Sequence, residues 1–152
     1  MTTTQLPRTA YAPVRRADPR PTIRRVAGGS VVAALVGAVV LFAYGAAAVA
    51  IHGPMQVGDP GNTAPITASS FVIGVLFSSF FGVLLAVVLA RWARRPARTF
   101  QRAAIALTVV SLYAPFTAHT DNGTQWYLAV GHVVAASVII PLIVRALRAT
   151  RV

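Results

Sequence analysis

Residues 68–90 read ASSFVIGVLFSSFFGVLLAVVLA and contain no charged side chain. A helix needs about 20 mostly apolar residues to cross a bilayer, and this stretch is long enough. One face of the predicted helix carries a small residue at every fourth position, and residues four apart share a face. We call this set the small-residue stripe: Ser70, Gly74, Ser78, Gly82, Ala86 and Ala90. Small residues let another helix approach closely in lipid, so the stripe predicts a packing surface.

The composition of the 152-residue chain is typical of a membrane protein. Hydrophobic residues make up 56% and charged residues 11%, whereas about 25% of residues are charged in soluble proteins. The net charge is +11, because fourteen arginines face three aspartates, with no lysine or glutamate. These arginines lie beside apolar runs, which favours membrane orientation and anionic lipid over nucleic acid as their explanation. The absence of cysteine excludes disulfides, thiol catalysis and cysteine-bound metals.

Three further apolar runs surround this stretch. The first is too long for a signal peptide, whose apolar segment spans about 7–15 residues. Residues 1–25 are polar, basic and broken by four prolines, which predicts a disordered tail. Residues 149–152 form a short basic end. We therefore predict an all-α fold, an integral membrane bundle of four transmembrane helices within residues 26–148, with spans at about 26–51, 68–90, 98–118 and 124–147.

The arginines predict the orientation of this bundle. Six lie in residues 1–25, five in residues 91–102 and three after residue 144, while the other two connections have none. The positive-inside rule then places both termini and the middle connection in the cytoplasm, as in a multi-pass protein of the cell membrane. The middle connection is predicted to anchor the protein to anionic lipid headgroups through Arg91, Arg94, Arg95, Arg98 and Arg102.

The small-residue stripe has two interpretations. It packs against the other helices of the same chain, or it forms the interface of a homo-oligomer or of a complex with another membrane protein. Both use the close helix contact that small residues allow, and the sequence alone favours the first.

A second pattern is a layer of polar residues inside the spans. Tyr44, Ser111 and His132 all lie roughly 10–12 Å from the outer surface, at a rise of 1.5 Å per residue. An ionisable residue within a span is a candidate functional residue. His132 would therefore serve a proton relay or a small polar binding pocket. The alternative is a neutral histidine that joins two helices by a hydrogen bond to Ser111 or Ser137.

Catalysis and cofactor binding have little support. No acid lies within a predicted span, and Asp59 and Asp121 fall in connections. A pairing of Ser111 with His132 lacks an orienting acid. No HExxH motif is present, and His52 and His119 lie at the surface while His132 lies within a span. We predict no enzyme activity, no metal and no cofactor, and keep a haem or quinone redox subunit as a third hypothesis.

Several short motifs resemble those of one protein family. They are the basic tail before the first span, Arg91-Trp92 with Pro96, Ser111-Leu112 followed by Pro115, and Gly131-His132. On these residues the chain resembles the actinobacterial four-span membrane proteins of the domain-of-unknown-function 6069 family. The resemblance implies the four-span architecture and carries no activity.

These patterns predict a non-enzymatic membrane protein that acts through helix packing, as an accessory subunit or a small oligomer. The alternative hypothesis is a small transporter or channel that uses the polar layer around His132.

Overall fold

The computed structural model describes residues 23–148 and is mostly helical. The disordered tail was predicted for residues 1–25. Residues 1–22, like the predicted end at residues 149–152, lie outside the described residues, whereas residues 23–25 belong to the first helix. The elements are α1 (Ile23–His52), β1 (Met55–Asp59), β2 (Asn62–Ile66), α2 (Ala68–Trp92), α3 (Pro96–Ser111), α4 (Tyr113–Thr117) and α5 (Asn122–Arg148).

Three of these helices, α1, α2 and α5, are long and apolar enough to cross a membrane. The predicted third span at 98–118 is instead divided between α3 and α4. At 16 residues, α3 is shorter than the roughly 20 residues that a spanning helix needs. Pro96 begins α3 at a position where a missing N–H costs nothing.

The connection between α1 and α2 is a two-stranded antiparallel hairpin, which the prediction of an all-α fold missed. Met55 pairs with Ile66 and Asp59 with Asn62. The turn residues are Pro60 and Gly61, and Gly61 has a φ of +91°. Proline followed by a residue of positive φ suits a tight turn. We call this end of the molecule the hairpin end and the opposite one, which carries Arg91–Arg102, the arginine end.

Helix α1 packs along both α2 and α5 through a face of mostly small residues. Its buried residues are Val26, Ser30, Ala33, Gly37, Leu41, Gly45 and Ala48. A Cβ atom built on Gly45 would lie 2.6 Å from Cδ2 of Phe71, and one built on Gly29 would lie 2.6 Å from Cβ of Ala146. The glycines of α1 therefore let α2 and α5 approach its backbone.

Two apolar clusters form the core. The cluster at the arginine end joins α1, α2, α3 and α5 and includes Val26, Ala86, Phe100 and Ile143. The cluster at the hairpin end joins α1 and α2 to the hairpin and includes Leu41, Phe71 and Met55. The buried members of this second cluster include none from α3, so α2 and α3 share a core only at the arginine end.

The rotation of α2 divides the small-residue stripe in two. The buried face of α2 consists of Phe71, Val75, Ser79, Ala86 and Ala90. Ala86 and Ala90 of the stripe thus lie in the core of the arginine end. In the half of α2 near the hairpin, Gly74 and Ser78 are exposed and Ser70 and Gly82 are half-buried.

Candidate functional site

A lateral groove opens between α2 and α3. Its volume is about 880 Å³, within the range of about 300–1,000 Å³ that is usual for small-molecule sites. Residues of α2 from Ser70 to Leu85 line one side, and residues of α3 from Phe100 to Ser111 line another. Residues of α5 from Leu128 to Ile143, together with Leu41, Val57 and Ile66, line the rest. We call this feature the α2–α3 groove.

The stripe residues near the hairpin line this groove. They are Ser70, Gly74, Ser78 and Gly82. No other residue would lie within 4 Å of a Cβ atom on Gly74, and Gly82 would meet only a methyl group of Ile143, at 3.9 Å. Glycine inside a helix is less favourable than alanine by about 1 kcal/mol. The contacts within this chain therefore do not explain the glycine at position 74.

Two of the three residues of the predicted polar layer reach the groove. Ser111 and His132 line it, whereas Tyr44 is not among its lining residues. The Tyr44 hydroxyl instead donates a hydrogen bond of 2.7 Å to the backbone carbonyl of Tyr127. Tyr44 thereby connects α1 to α5, and its ring contacts Phe71 edge-on.

The hydrogen bonds of Ser111 and His132 stay within their own helices. Ser111 donates to the carbonyl of Thr108 at 2.8 Å, and Nδ1 of His132 donates to the carbonyl of Leu128 at 2.8 Å. Ser137 likewise donates to Val134. Among the described residues His132 therefore forms no bond to Ser111 or Ser137, contrary to one of the two interpretations of this histidine.

Ser79 is a groove residue that the sequence places slightly deeper than the polar layer and that the predicted site did not include. Its side chain is 4% exposed, it lines the groove, and its hydroxyl has no hydrogen-bond partner among the described residues. Thr108, which donates to the carbonyl of Ala104, also lines the groove and was missed. Its place one turn before Ser111 was a usable signal, whereas the burial of Ser79 depends on the rotation of α2.

The predicted basic anchor lies at the arginine end. Arg91, Arg94, Arg95, Arg98 and Arg102 are all exposed. Within residues 23–148 the ion pairs are formed by histidines, so none of these arginines is paired with a carboxylate. Their charges are therefore available to an outside partner.

Polar contacts tie the hairpin to the connection between α4 and α5. The Gly58 N–H donates to the carbonyl of His119 at 2.9 Å, and the His119 ring contacts the carboxylate of Asp59. Nε2 of His52 lies 3.2 Å from Oδ1 of Asp121. A shallow depression of about 560 Å³ lies between the hairpin and this connection.

Asp121 precedes α5 and caps its first turn. Its carboxylate accepts hydrogen bonds from the hydroxyl of Thr124 at 2.5 Å and from the N–H of Thr124 at 2.9 Å. The hydrogen bond from the hydroxyl has the larger effect and the one from the N–H the smaller. Together they lower the pKa of Asp121 to about 2, because they stabilise the ionised form. An aspartate followed three residues later by threonine is an N-cap signal that sequence reasoning could have used.

The described residues contain no group of three or more His, Cys, Asp or Glu side chains that could hold a metal ion. The histidines are divided between the hairpin end, with His52 and His119, and the groove, with His132. The chemistry that the groove itself offers is hydrogen bonding in an apolar setting.

Comparison with known proteins gives one match. The model of a family of unknown function, DUF6069, matches residues 21–149 of the 152. No match was found among curated proteins or among solved structures.

Proposed function

The chain belongs to DUF6069, a family of unknown function, and we propose that it acts without catalysis, by binding a small amphiphilic molecule of the lipid phase. The α2–α3 groove is the site of this binding. The protein would hold this molecule in the groove or transfer it within the membrane, while the outer faces of its long helices contact lipid.

The proposed setting is a cell membrane that the chain crosses four times. In this arrangement α3 and α4 together make the span that α3 is too short to make alone. Both termini and the arginine end lie in the cytoplasm, since the arginines are confined to those segments. The exposed arginines of the anchor then contact anionic lipid headgroups.

Thiol labelling tests this topology, because the chain has no cysteine of its own. A single cysteine at Asn62, the exposed first residue of β2, is expected to react with a membrane-impermeant reagent in intact cells. A single cysteine at Gln101, in exposed α3, is expected to react only after the membrane is opened. The reverse pattern would contradict the proposed orientation.

One observation carries the binding proposal: α2 and α3 share a core only at the arginine end. Toward the hairpin they separate, and the space between them has the volume of a small-molecule site. In a bilayer this space is filled by some apolar material. The hydroxyl and imidazole groups along its walls distinguish it from a plain gap between lipid-facing helices.

A second candidate function is docking of a membrane helix, as an accessory subunit or a homo-oligomer. The observation that favours it is the uncovered part of the small-residue stripe at Gly74 and Ser78. Small residues at four-residue spacing are a common helix-contact surface in lipid. A docked helix would occupy the same groove, so the two functions exclude one another at this site.

The mass of the full chain released from nanodiscs distinguishes the two candidates. A monomer that retains a small molecule supports the binding proposal. Several copies, or a second protein, without a retained small molecule would overturn it in favour of helix docking. The matched variants are Gly74→Leu, which places a side chain in the groove, and Gly28→Leu, at another helical glycine with no neighbour within 4 Å.

The expected outcome is loss of the small molecule in Gly74→Leu and its retention in Gly28→Leu. Both variants add the same side chain to a helix at a position with open space. A difference between them therefore reports on the groove and not on leucine in a helix. Equal retention in the two variants would place the bound molecule outside the groove.

A further inference from the structure

We infer that the molecule in the α2–α3 groove is an uncharged long-chain amphiphile whose polar group is a hydroxyl that donates a hydrogen bond. The inference rests on the proposed function, because it names the ligand of the same groove. The expected acceptor is Nε2 of His132, and the hydroxyl of Ser79 is the second polar partner.

The groove excludes a charged headgroup. Its lining contains no Asp, Glu, Arg or Lys, and His132 is its single ionisable residue. A charge buried away from water without a partner carries a large energetic penalty. Phosphate, carboxylate and ammonium headgroups therefore do not fit, and the polar part of the ligand is neutral.

The hydrogen-bond inventory favours a ligand that donates. The side-chain donors of Ser78, Thr108, Ser111 and His132 are all used on backbone carbonyls of their own helices. Nδ1 of His132 carries the proton, because a carbonyl can only accept. In the neutral imidazole Nε2 then has a free lone pair. These four side chains can therefore still accept a hydrogen bond from a ligand, but their own donors are already used.

Ser79 differs from these four residues because its hydroxyl is not bonded to a backbone carbonyl of the described residues, and this is the strongest indication of a ligand. Its hydroxyl has no partner among the described residues, although the side chain is 4% exposed and lines the groove. Serine in a helix commonly donates to the carbonyl four residues earlier, as Ser78 does to Gly74. A ligand hydroxyl satisfies Ser79 without disturbing the fold, since a hydroxyl both donates and accepts.

Ser79 and His132 lie at similar depth. Ser79 is eleven residues from the start of α2 and His132 ten from the start of α5, about 15–17 Å from the hairpin end at 1.5 Å per residue. The groove continues past this level to Phe100 and Ile143 and is otherwise mostly apolar. A hydroxyl at this level leaves a long aliphatic chain to fill the remainder.

A competition experiment tests this assignment with the full chain in nanodiscs. The nanodiscs contain equal amounts of hexadecanol and hexadecyl methyl ether, which share the hexadecyl chain and the oxygen. A methyl group replaces the donated proton in the ether. Native mass spectrometry counts the two adducts. Wild-type protein is expected to retain the alcohol up to about tenfold over the ether, the effect of one net hydrogen bond.

Substitutions locate the effect. His132→Leu is expected to bring the ratio of alcohol to ether close to one, because it removes the acceptor of the donated proton. Ser79→Ala is expected to weaken the retention of both probes, because Ser79 donates to an oxygen that the alcohol and the ether share. His132→Gln, which keeps an acceptor oxygen, is expected to restore part of the preference. Ser137→Ala is the control, because Ser137 has the same kind of backbone hydrogen bond on α5 but does not line the groove. The control is expected to behave like wild type.

The failures are distinguishable. Equal retention of alcohol and ether by wild type, with loss of both in Gly74→Leu, would overturn the donor inference and leave the groove as a binding site. Retention of neither probe, or retention unaffected by Gly74→Leu, would overturn the proposed function as well. The wild-type ratio decides the inference even if one of the variants fails to fold.

Discussion

Two glycine-to-alanine substitutions on neighbouring helices are expected to change stability in opposite directions. Gly45 lies on the buried face of α1, and Gly74 lies on the part of α2 that faces the groove. Both are mid-helix glycines with small residues one turn away. The same substitution therefore compares a glycine that packs against another helix with a glycine beside open space.

The magnitudes follow from what a methyl group would meet. At Gly45 the added carbon would lie 2.6 Å from Cδ2 of Phe71 and 3.1 Å from Cα of Ala68. Overpacking of this kind costs about 1–3 kcal/mol. Alanine regains about 1 kcal/mol of helix propensity over glycine. Gly45→Ala is thus expected to destabilise the protein by about 0–2 kcal/mol in total.

At Gly74 the added carbon would meet nothing within 4 Å. The helix-propensity term then acts alone, and Gly74→Ala is expected to stabilise the protein by up to about 1 kcal/mol. The free energies of unfolding of the two variants should therefore differ by about 1–3 kcal/mol, with Gly74→Ala the more stable.

Equilibrium unfolding in mixed micelles, followed by helical circular dichroism, measures this difference. Dilution of the protein in detergent keeps association between copies out of the measurement. If Gly74→Ala were destabilised as much as Gly45→Ala, α2 would pack within the chain through its whole small-residue stripe. The groove would then be closed, and both the proposed function and the ligand assignment would lose their site.

Three further expectations follow from single contacts. Tyr44→Phe removes a hydrogen bond to the backbone of α5 and should lower the free energy of unfolding by about 1 kcal/mol. Retention of the alcohol should not change, and reduced retention would contradict the placement of Tyr44 outside the groove. The lowered pKa of Asp121 means that its cap is fully formed above about pH 4 and is lost as the pH falls through about 2. The protection of the Thr124 amide, measured from its exchange rate relative to an unstructured amide at the same pH, should therefore fall only in that acid range, and Asp121→Asn should remove this pH dependence. The pair of His119 with Asp59 has side chains 71% and 72% exposed, so His119→Ala should change the free energy of unfolding by less than about 1 kcal/mol; a larger loss would show that this pair holds the hairpin in place.

The sequence could predict where the long helices lie, and it could not predict how they are rotated. Uninterrupted apolar runs locate α1, α2 and α5 to within three residues at each end, because spanning length and apolar composition are properties of the chain alone. Rotation depends on a difference between helix faces. In α2 nearly every position is apolar or small, so a shift of one residue exchanges Ser78 for Ser79 on the buried face with little sequence signal.

The predictions that depended on rotation had mixed outcomes for the same reason. Small residues at four-residue spacing occur on both α1 and α2. On α1 they bury against two neighbouring helices, and on α2 only Ala86 and Ala90 do so. Periodicity identified the stripe on α2 as a contact surface but could not say which of its residues this chain uses for its own packing. The hairpin was missed because its strands are short and the connection at residues 52–67 contains three glycines and three prolines, which sequence patterns associate with loops.

Ser111 and His132, the residues of the polar layer that reach the groove, form no hydrogen bond between helices in the described part of the chain. Had His132 bonded to Ser111, both groups would be satisfied, and the layer would be explained as a connection between helices. Each instead donates a hydrogen bond to a carbonyl of its own helix. The Ser79 hydroxyl has no hydrogen-bond partner among the described residues. Unsatisfied polar groups in an apolar setting are costly, so a fold that keeps them beside an open groove is most simply explained by an occupant that satisfies them. The preference for hexadecanol over its ether therefore measures whether these polar groups have a binding role.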